Sequence, residues 1–321
     1  MGKLKIITGT VHPEFAKKIS NILKIPLSEV IIKRFPDSEL YIKIKEKVRG
    51  DDVFIIQPTS RPVNESLMEL LIMIDALKRS NVHKINVVMP YYGYARQDRR
   101  ASSREPITAK LVANLLTIAG ADRIITVDLH SPQIVGFFDI HVDHFEAYPV
   151  FAEYIKNKNL KDIVAVASDS GFVKKTRKFA KVLDCPLAIV DKRRDFHSKV
   201  EVVNIIGNVK DKNCVLLDDM IDTGGTITAA ADALIENGAK SVHICATHAI
   251  LSEGCVDKLK KCKAEEIVLT DSLPIQKEKM IKKIKILSIA ELMAEVIQRI
   301  YDHKSLGELF SWEDETSVRH R

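Results

Sequence analysis

Residues 215–226 read Val-Leu-Leu-Asp-Asp-Met-Ile-Asp-Thr-Gly-Gly-Thr, and this stretch decides both the fold and the chemistry of the chain. The apolar run Cys214 to Leu217 predicts a buried strand, and Ile227 to Glu236 an alanine-rich helix. Between them, Gly224 and Gly225 let backbone N–H groups approach an anion, while Thr223 and Thr226 add hydroxyl donors. The helix turns the positive end of its dipole toward the same point, so a phosphate fits there. Asp218 and Asp219 repel phosphate, but carboxylates accept hydrogen bonds from vicinal hydroxyls, as acidic residues do for ribose. With Asp222 the run reads as a sugar-phosphate site. The plainer alternative is an N-capped turn with solvated aspartates, and three acids beside a Thr-Gly-Gly-Thr loop weigh against it.

Outward from this loop, short β-rich runs alternate with amphipathic segments, the pattern of an α/β protein with parallel sheets. Ser241 to Thr247, Glu266 to Leu269 and Ile284 to Leu287 are predicted strands, followed by a helix from Ile289 to about His303. Before the loop, strands over Asp162 to Ala167 and Pro186 to Val190 flank a helix over Phe172 to Leu183, and Val200 to Val209 is a further candidate strand. In the first half, strands over Asp52 to Gln57, Lys84 to Pro90 and Arg123 to Leu129 alternate with helices over Glu65 to Lys78 and Ile107 to Ala119. One echo suggests duplication: Gly120-Ala121 precedes a strand and then His130, as Gly238-Ala239 precedes a strand and then His248. The expected domains are 1–146 and 147–303, meeting near Asp143 to Leu160, with a tail over 304–321 whose end is disordered.

The 321 residues, 46% hydrophobic and 29% charged, suit two globular domains. Lys plus Arg number 49 against 43 Asp plus Glu, a net +6 that favours anionic small molecules without making a nucleic-acid footprint. No apolar stretch approaches the roughly 18–20 residues of a spanning helix, so neither membrane nor nucleic acid is an expected partner and the location is read as cytoplasmic. Five cysteines without a CxxC pair imply reduced, mostly buried thiols rather than disulfides or a zinc site. Neither G-x-x-x-x-G-K-[ST] nor a G-x-G-x-x-G after a strand occurs, which disfavours a Walker-type NTPase and a dinucleotide dehydrogenase.

The 215–226 run resembles the ribose-phosphate-binding signature, or PRPP loop, of the type I phosphoribosyltransferase superfamily. Pro90-Tyr-Tyr-Gly-Tyr-Ala-Arg-Gln-Asp98, Ser103-Arg-Glu-Pro-Ile-Thr-Ala-Lys110, Asp128-Leu-His-Ser-Pro-Gln133, Gly136-Phe-Phe-Asp139 and Asp191-Lys-Arg-Arg194 narrow the likeness to the ribose-phosphate pyrophosphokinase family. That resemblance implies an α/β chain of two similar phosphoribosyltransferase-like domains, each with a mainly parallel sheet flanked by helices. It also implies Mg²⁺ with ATP as donor, ribose 5-phosphate as acceptor, and assembly into a homo-oligomer, a hexamer of dimers. The implied reaction is attack of the ribose 1-hydroxyl on the β-phosphorus of ATP, giving 5-phosphoribosyl 1-diphosphate and AMP.

In such a transfer, positioning and cations at the spreading negative charge do most of the work. Lys192 and Arg194 match the family's catalytic lysine and arginine on a mobile loop, and Arg194 also faces ribose 5-phosphate; by spacing alone they would be a solvated turn. The ribose 5-phosphate set is completed by Asp218, Asp219, Asp222, Thr223, Gly224, Gly225 and Thr226. His130 is implied as a catalytic and metal-associated residue, with Asp128 and Asp169 as metal-associated carboxylates. Arg96, Gln97 and Asp98 match ATP contacts. Phe35, Asp37, Ser38 and Glu39 match the segment that in the family reaches a neighbouring subunit's adenine, the ring offering a stacking face and the carboxylates accepting from an exocyclic amino group. Without the resemblance this segment reads as a turn between strands.

The chain departs from the family pattern in places. Ser-Pro-Asp-x-Gly-Gly becomes Ala167-Ser168-Asp169-Ser170-Gly171-Phe172, and Lys175 stands where arginine is usual, which predicts a narrowed diphosphate-binding turn. Ser38 replaces a glycine. At the family's phosphate and ADP regulatory site Arg49 and Ser305 match, whereas Asn81 and Gly307 stand where serines are usual. Two alternatives stay open: a phosphoribosyltransferase that consumes PRPP with the same loop, and a catalytically silent regulatory subunit.

Overall fold

The computed structural model describes residues 2–194 and 201–310. Contacts divide them into two units, the first Met1–Glu146 with Ser272–Pro274 and Ile289–Phe310, the second Ala147–Asp271 with Ile275–Ser288.

The first unit runs β1 (Leu4–Thr8), α1 (Pro13–Leu23), β2 (Val30–Arg34), β3 (Leu40–Ile44), β4 (Asp52–Ile56), α2 (Val63–Arg79), β5 (Lys84–Met89), α3 (Thr108–Ala119), β6 (Arg123–Val127) and β7 (His141–Phe145). Five strands form a parallel sheet in the order β1-β4-β5-β6-β7. Strands covered on both faces read as unbroken apolar runs, and all five residues of β4 are buried. In α2 the residues Leu67, Leu70, Met73, Ile74 and Leu77 recur at helical spacing and fill the core beneath it. β2 and β3 form a separate antiparallel ribbon in which Arg34 pairs with Leu40.

The second unit runs α4 (Tyr148–Asn157), β8 (Ile163–Ala167), α5 (Val173–Leu183), β9 (Leu187–Arg194), β10 (Glu201–Ile206), β11 (Asn213–Ile221), α6 (Gly225–Glu236), β12 (Ser241–Ala249), α7 (Cys255–Lys261), β13 (Glu266–Thr270) and β14 (Ile284–Leu287). Its sheet has the order β10-β9-β8-β11-β12-β13-β14, with β10 alone antiparallel to its neighbour. The expected α/β class with mainly parallel sheets is what the chain adopts. α8 (Ala290–Tyr301), which the sequence reading attaches to the second half, packs on α1 of the first unit, and the Tyr301 hydroxyl donates to the Gly2 carbonyl at 3.0 Å. α9 (Gly307–Phe310) follows. The expected disordered end, residues 311–321, lies outside the described residues.

Gly120 and Gly238 both adopt left-handed backbone, φ 119° and 86°. The echo ends at the histidines. His130 is exposed beyond β6, whereas His248 is buried within β12. Four of the five cysteines are buried, and burial pushes the thiols of Cys214, Cys245 and Cys255 up. Among the described residues no helix is long and apolar enough to cross a membrane.

Candidate functional site

In an open α/β sheet, ligands bind beyond the carboxyl ends of strands at the point where the order reverses. In the second unit that point lies between β8 and β11: from β8 the chain moves outward to β9, then returns to add β11 on the other side. Asp169 leaves the end of β8, and Asp218 and Asp219 lie near the end of β11, where Ala167 pairs with Leu217. Asp219 is 5% exposed, and its N–H donates to the Asp218 carboxylate at 2.8 Å. Burial holds the Asp218 carboxyl well above its usual range, and the nearby Asp219 and Asp169 carboxylates push it further. Hydrogen-bond donors or a cation brought there would relieve that repulsion.

The loop that follows is a built cradle. Gly224 caps α6 with φ 75°, and a Cβ there would meet the Cys255 sulfur at 2.9 Å, so both conformation and space demand glycine. Thr223 and Thr226 are exposed at the helix N-terminus, beside the amides of the first turn. Lys258 Nζ donates to the Thr223 carbonyl at 3.1 Å, which fixes the loop and leaves a cation beside it. Asp222 is anchored from the β12–α7 connection: the Ser252 hydroxyl donates to its carboxylate, and the Ser252 N–H to its carbonyl at 2.9 Å. Ser252, Cys255 and Lys258 were invisible in the motif because they reach it from the next βα unit.

Asp169 N-caps the short 3₁₀ turn Ser170–Phe172, accepting from the Phe172 N–H at 3.0 Å. Phe172, in the position of a second glycine, keeps ordinary helical backbone (φ −89°), and its ring lies under the Lys175 ammonium at 4.9 Å. The side chain therefore turns away along α5.

In the first unit, Arg96 and Gln97 line a cavity of about 450 Å³ with Pro62, Asn64, Tyr91 and Tyr94. Tyr94 takes left-handed backbone, φ 64°, and its hydroxyl donates to Asn64. Gln97 is fixed to the start of α3: Thr108 Oγ1 donates to its side-chain oxygen at 2.5 Å, and the Ala109 N–H to its carbonyl at 3.2 Å. Asp98 is half-buried. Asp128 is 2% exposed and left-handed, φ 44°, a conformation Asp tolerates. His130 is exposed two residues on.

Phe35, Asp37, Ser38 and Glu39 form the tip of the β2–β3 ribbon. The Phe35 N–H donates to the Glu39 carbonyl at 2.8 Å, the Glu39 N–H to Asp37 Oδ1 at 3.1 Å, and Phe35 meets Tyr41 edge-on at 5.9 Å. Ser38 itself takes left-handed backbone in this turn, φ 76°. The backbone of Lys192 and Arg194 ends β9, and their side chains lie outside the described residues.

Within its unit, then, each half gathers its own set: Asp169, Asp218, Asp219 and the Asp222–Thr226 loop in the second, Arg96 and Gln97 around one cavity in the first. Among the described residues, no group of three or more His, Cys, Asp or Glu forms a ready-made metal cage.

Comparison with known proteins finds a match in each half of the chain. Residues 4–120 match the N-terminal domain of ribose phosphate pyrophosphokinase, and residues 194–311 the phosphoribosyl synthetase-associated domain. The chain is 54% identical over 308 residues to the ribose-phosphate pyrophosphokinase of Bacillus caldolyticus, covering 96% of this chain and 98% of that one. It is 52% identical to that of Bacillus subtilis, covering 96% and 97%. The crystal structure of phosphoribosylpyrophosphate synthetase from Mycobacterium smegmatis superposes with a TM-score of 0.89 at 43% identity, over 94% of this chain and 99% of that one.

Proposed function

The chain belongs to the ribose-phosphate pyrophosphokinase family, and on that premise we propose that it transfers diphosphate from Mg-ATP to the 1-hydroxyl of ribose 5-phosphate, for nucleotide biosynthesis. The 1-hydroxyl oxygen bonds to the β-phosphorus and its proton is released. The bond from that phosphorus to the oxygen bridging the α-phosphorus breaks, and this oxygen leaves with AMP. The observation that carries the reading is the Asp218–Thr226 run at the switch point of the second sheet, with paired carboxylates for ribose hydroxyls and a glycine-capped helix for the 5-phosphate.

In this reading Asp218 and Asp219 accept from the ribose hydroxyls. Thr223, Gly224, Gly225 and Thr226 hold the phosphate, with Arg194, and Asp222, its carboxylate fixed by Ser252, sets the start of that loop. On the donor side, Arg96 grips phosphate, and Gln97 and Asp98 orient the nucleotide. Phe35 stacks on a neighbouring subunit's adenine while Asp37, Ser38 and Glu39 offer polar contacts to its edge. Lys192 and Arg194 supply positive charge where negative charge spreads during transfer, with His130 directed at the phosphates.

Magnesium suits the oxygen donors present. It is commonly held by one or two carboxylates plus substrate phosphates and waters rather than by an all-protein cage, and the crowded Asp169, Asp218 and Asp219 carboxylates favour a neighbouring cation. Asp169 in the second unit, and Asp128 with His130 in the first, are each candidate holders of such an ion, which when bound with ATP would neutralise phosphate charge. A homo-oligomer, a hexamer of dimers, in the cytoplasm goes with the same reading. The test is AMP release from ATP that requires both ribose 5-phosphate and Mg²⁺, with mass in solution measured alongside. AMP release independent of ribose 5-phosphate, or none, overturns the proposal.

A further inference from the structure

We propose that Tyr94 is a positioning residue for the donor nucleotide, its hydroxyl bond to Asn64 holding the turn that presents Arg96 and Gln97. The inference rests on the function proposed above, in which those two residues contact ATP. Three observations within the first unit converge on it.

The first is a backbone conformation that its own residue does not favour. Tyr94 has φ 64°. Left-handed backbone crowds the Cβ of any L-residue, and a bulky side chain in that region is an outlier. Such a conformation persists only where surrounding contacts over-determine it. From Tyr94 the chain closes a tight turn, the Gln97 N–H donating to the Tyr94 carbonyl at 2.9 Å. Within the turn Ala95 is buried, while Arg96 and Gln97 are exposed. Whatever holds Tyr94 therefore fixes where those two side chains start.

The second is the set of contacts that do the holding. Before Tyr94, the Gly93 N–H donates to Thr59 Oγ1 at 2.7 Å, and a Cβ on Gly93 would lie 2.4 Å from the Thr59 carbonyl oxygen. The Tyr92 hydroxyl donates to the Ala109 carbonyl at 2.8 Å, which ties the same segment to α3. After Tyr94, Gln97 is bound to Thr108 and Ala109. These bonds fix the two flanks of the turn. Tyr94 itself is reached through its side chain, whose hydroxyl donates to Asn64 in the first turn of α2.

The third is where that bond lies. Tyr94 and Asn64 both line the cavity of about 450 Å³ that Arg96 and Gln97 share. Asn64 is exposed and Tyr94 only half-buried, so the bond belongs to the wall of the cavity rather than to the core. One side-chain hydrogen bond at such a place adds little to the stability of the whole chain, but it changes an affinity severalfold when the group it orients binds the ligand. Tyr94 thus acts through Arg96 and Gln97, and the ribose 5-phosphate residues of the second unit are independent of it.

The experiment follows AMP release by the full chain as ATP and ribose 5-phosphate are varied in turn. Tyr94→Phe keeps the ring and removes the donor; it is expected to raise KM for ATP about 3- to 10-fold, with kcat and KM for ribose 5-phosphate within about 2-fold. Asn64→Ala is expected to raise KM for ATP by a similar factor, and the double variant no further, because each single change breaks the same bond. An unchanged KM for ATP in Tyr94→Phe, an equal rise for both substrates, or a double variant whose rise is the product of the two single ones overturns the role and leaves the proposed function standing. Should Asn64→Ala fail to fold, the split between the two KM values in Tyr94→Phe decides alone. If the unsubstituted chain releases no AMP with both substrates and Mg²⁺ present, the proposed function fails, and this inference with it.

Discussion

The N–H of Asp219 donates to the Asp218 carboxylate at 2.8 Å, and yet the Asp218 carboxyl is held well above the usual range. One donated bond does not offset burial together with two neighbouring carboxylates. The folded state therefore binds this proton more tightly than the unfolded chain, whose value is near 3.8. Stability falls as pH rises from that value through the raised folded one, because the native site must then carry an unwelcome charge. Asp218→Asn is expected to raise the thermal midpoint at neutral pH, to flatten its dependence on pH, and to weaken ribose 5-phosphate binding. Thermal melts from pH 4 to 8 with acceptor titrations check all three; a lower midpoint at neutral pH would count against the linkage.

Asp219 carries the matching prediction for binding alone. Its side chain is buried and faces no phosphate in the proposed site, so its role is to accept from ribose hydroxyls. Asp219→Ala should raise the ribose 5-phosphate dissociation constant about 10- to 100-fold, as expected for loss of one or two charge-assisted hydrogen bonds. Calorimetric titration measures it, and an unchanged constant removes Asp219 from the acceptor site.

At Gly224 a Cβ would meet two obstacles, a left-handed φ of 75° and the Cys255 sulfur at 2.9 Å. Left-handed backbone costs an L-residue roughly 1–2 kcal/mol, and the sulfur is buried with little room to give. Gly224→Ala is expected to displace the loop and cost ribose 5-phosphate affinity well beyond the backbone term. The double variant Gly224→Ala with Cys255→Ala clears the steric obstacle only, so it should recover part of the affinity. No recovery would mean that backbone conformation alone sets the cradle.

Ser38 bears the opposite strain, being a non-glycine at φ 76°. Ser38→Gly removes roughly 1–2 kcal/mol of left-handed penalty and returns roughly 0.5–1 kcal/mol through the freer unfolded chain, for a net gain on the order of 0.5–1 kcal/mol. Denaturant melts read it directly. A loss of stability would show that the Ser38 side chain contributes more than its backbone costs.

Much of the fold was legible because it is local. β11 announced itself as an apolar run ending in acids, and α6 as an alanine-rich segment behind two glycines. Where polar residues interrupt the pattern, sequence spoke less clearly. β7, His-Val-Asp-His-Phe, hides its strand character behind two histidines and an aspartate, and α4 hides behind Pro149 and Lys156, though Tyr148, Phe151, Ala152 and Ile155 recur at helical spacing. The return of α8 to α1 has no local signal at all. The candidate site divides the same way: Asp218 to Thr226 lie in one run, while Ser252 and Lys258, which hold that run in place, come from 26 or more residues further on and share no motif with it.

Lys192 provides the sharpest separation of binding from chemistry. Its backbone lies in β9, next to β8 in the sheet that carries Asp169, Asp218 and Asp219. None of the ribose contacts proposed here uses it, so its charge should matter where the β-phosphorus changes partners and negative charge spreads over the transferring group. A charge used only in the transition state lowers kcat and kcat/KM together when it is removed, and leaves ground-state affinity alone. Lys192→Ala is therefore expected to cut turnover by about 10²–10³-fold or more, the scale seen when one preorganised donor is lost from a transferring centre, with little change in ribose 5-phosphate affinity. Lys192→Arg keeps the charge but spreads it over a planar fork, and should recover only part of the rate. Steady-state AMP release paired with acceptor titration distinguishes the outcomes: near-normal turnover in Lys192→Ala removes the residue from the transfer step, whereas weakened acceptor binding at normal turnover moves it to the ribose site.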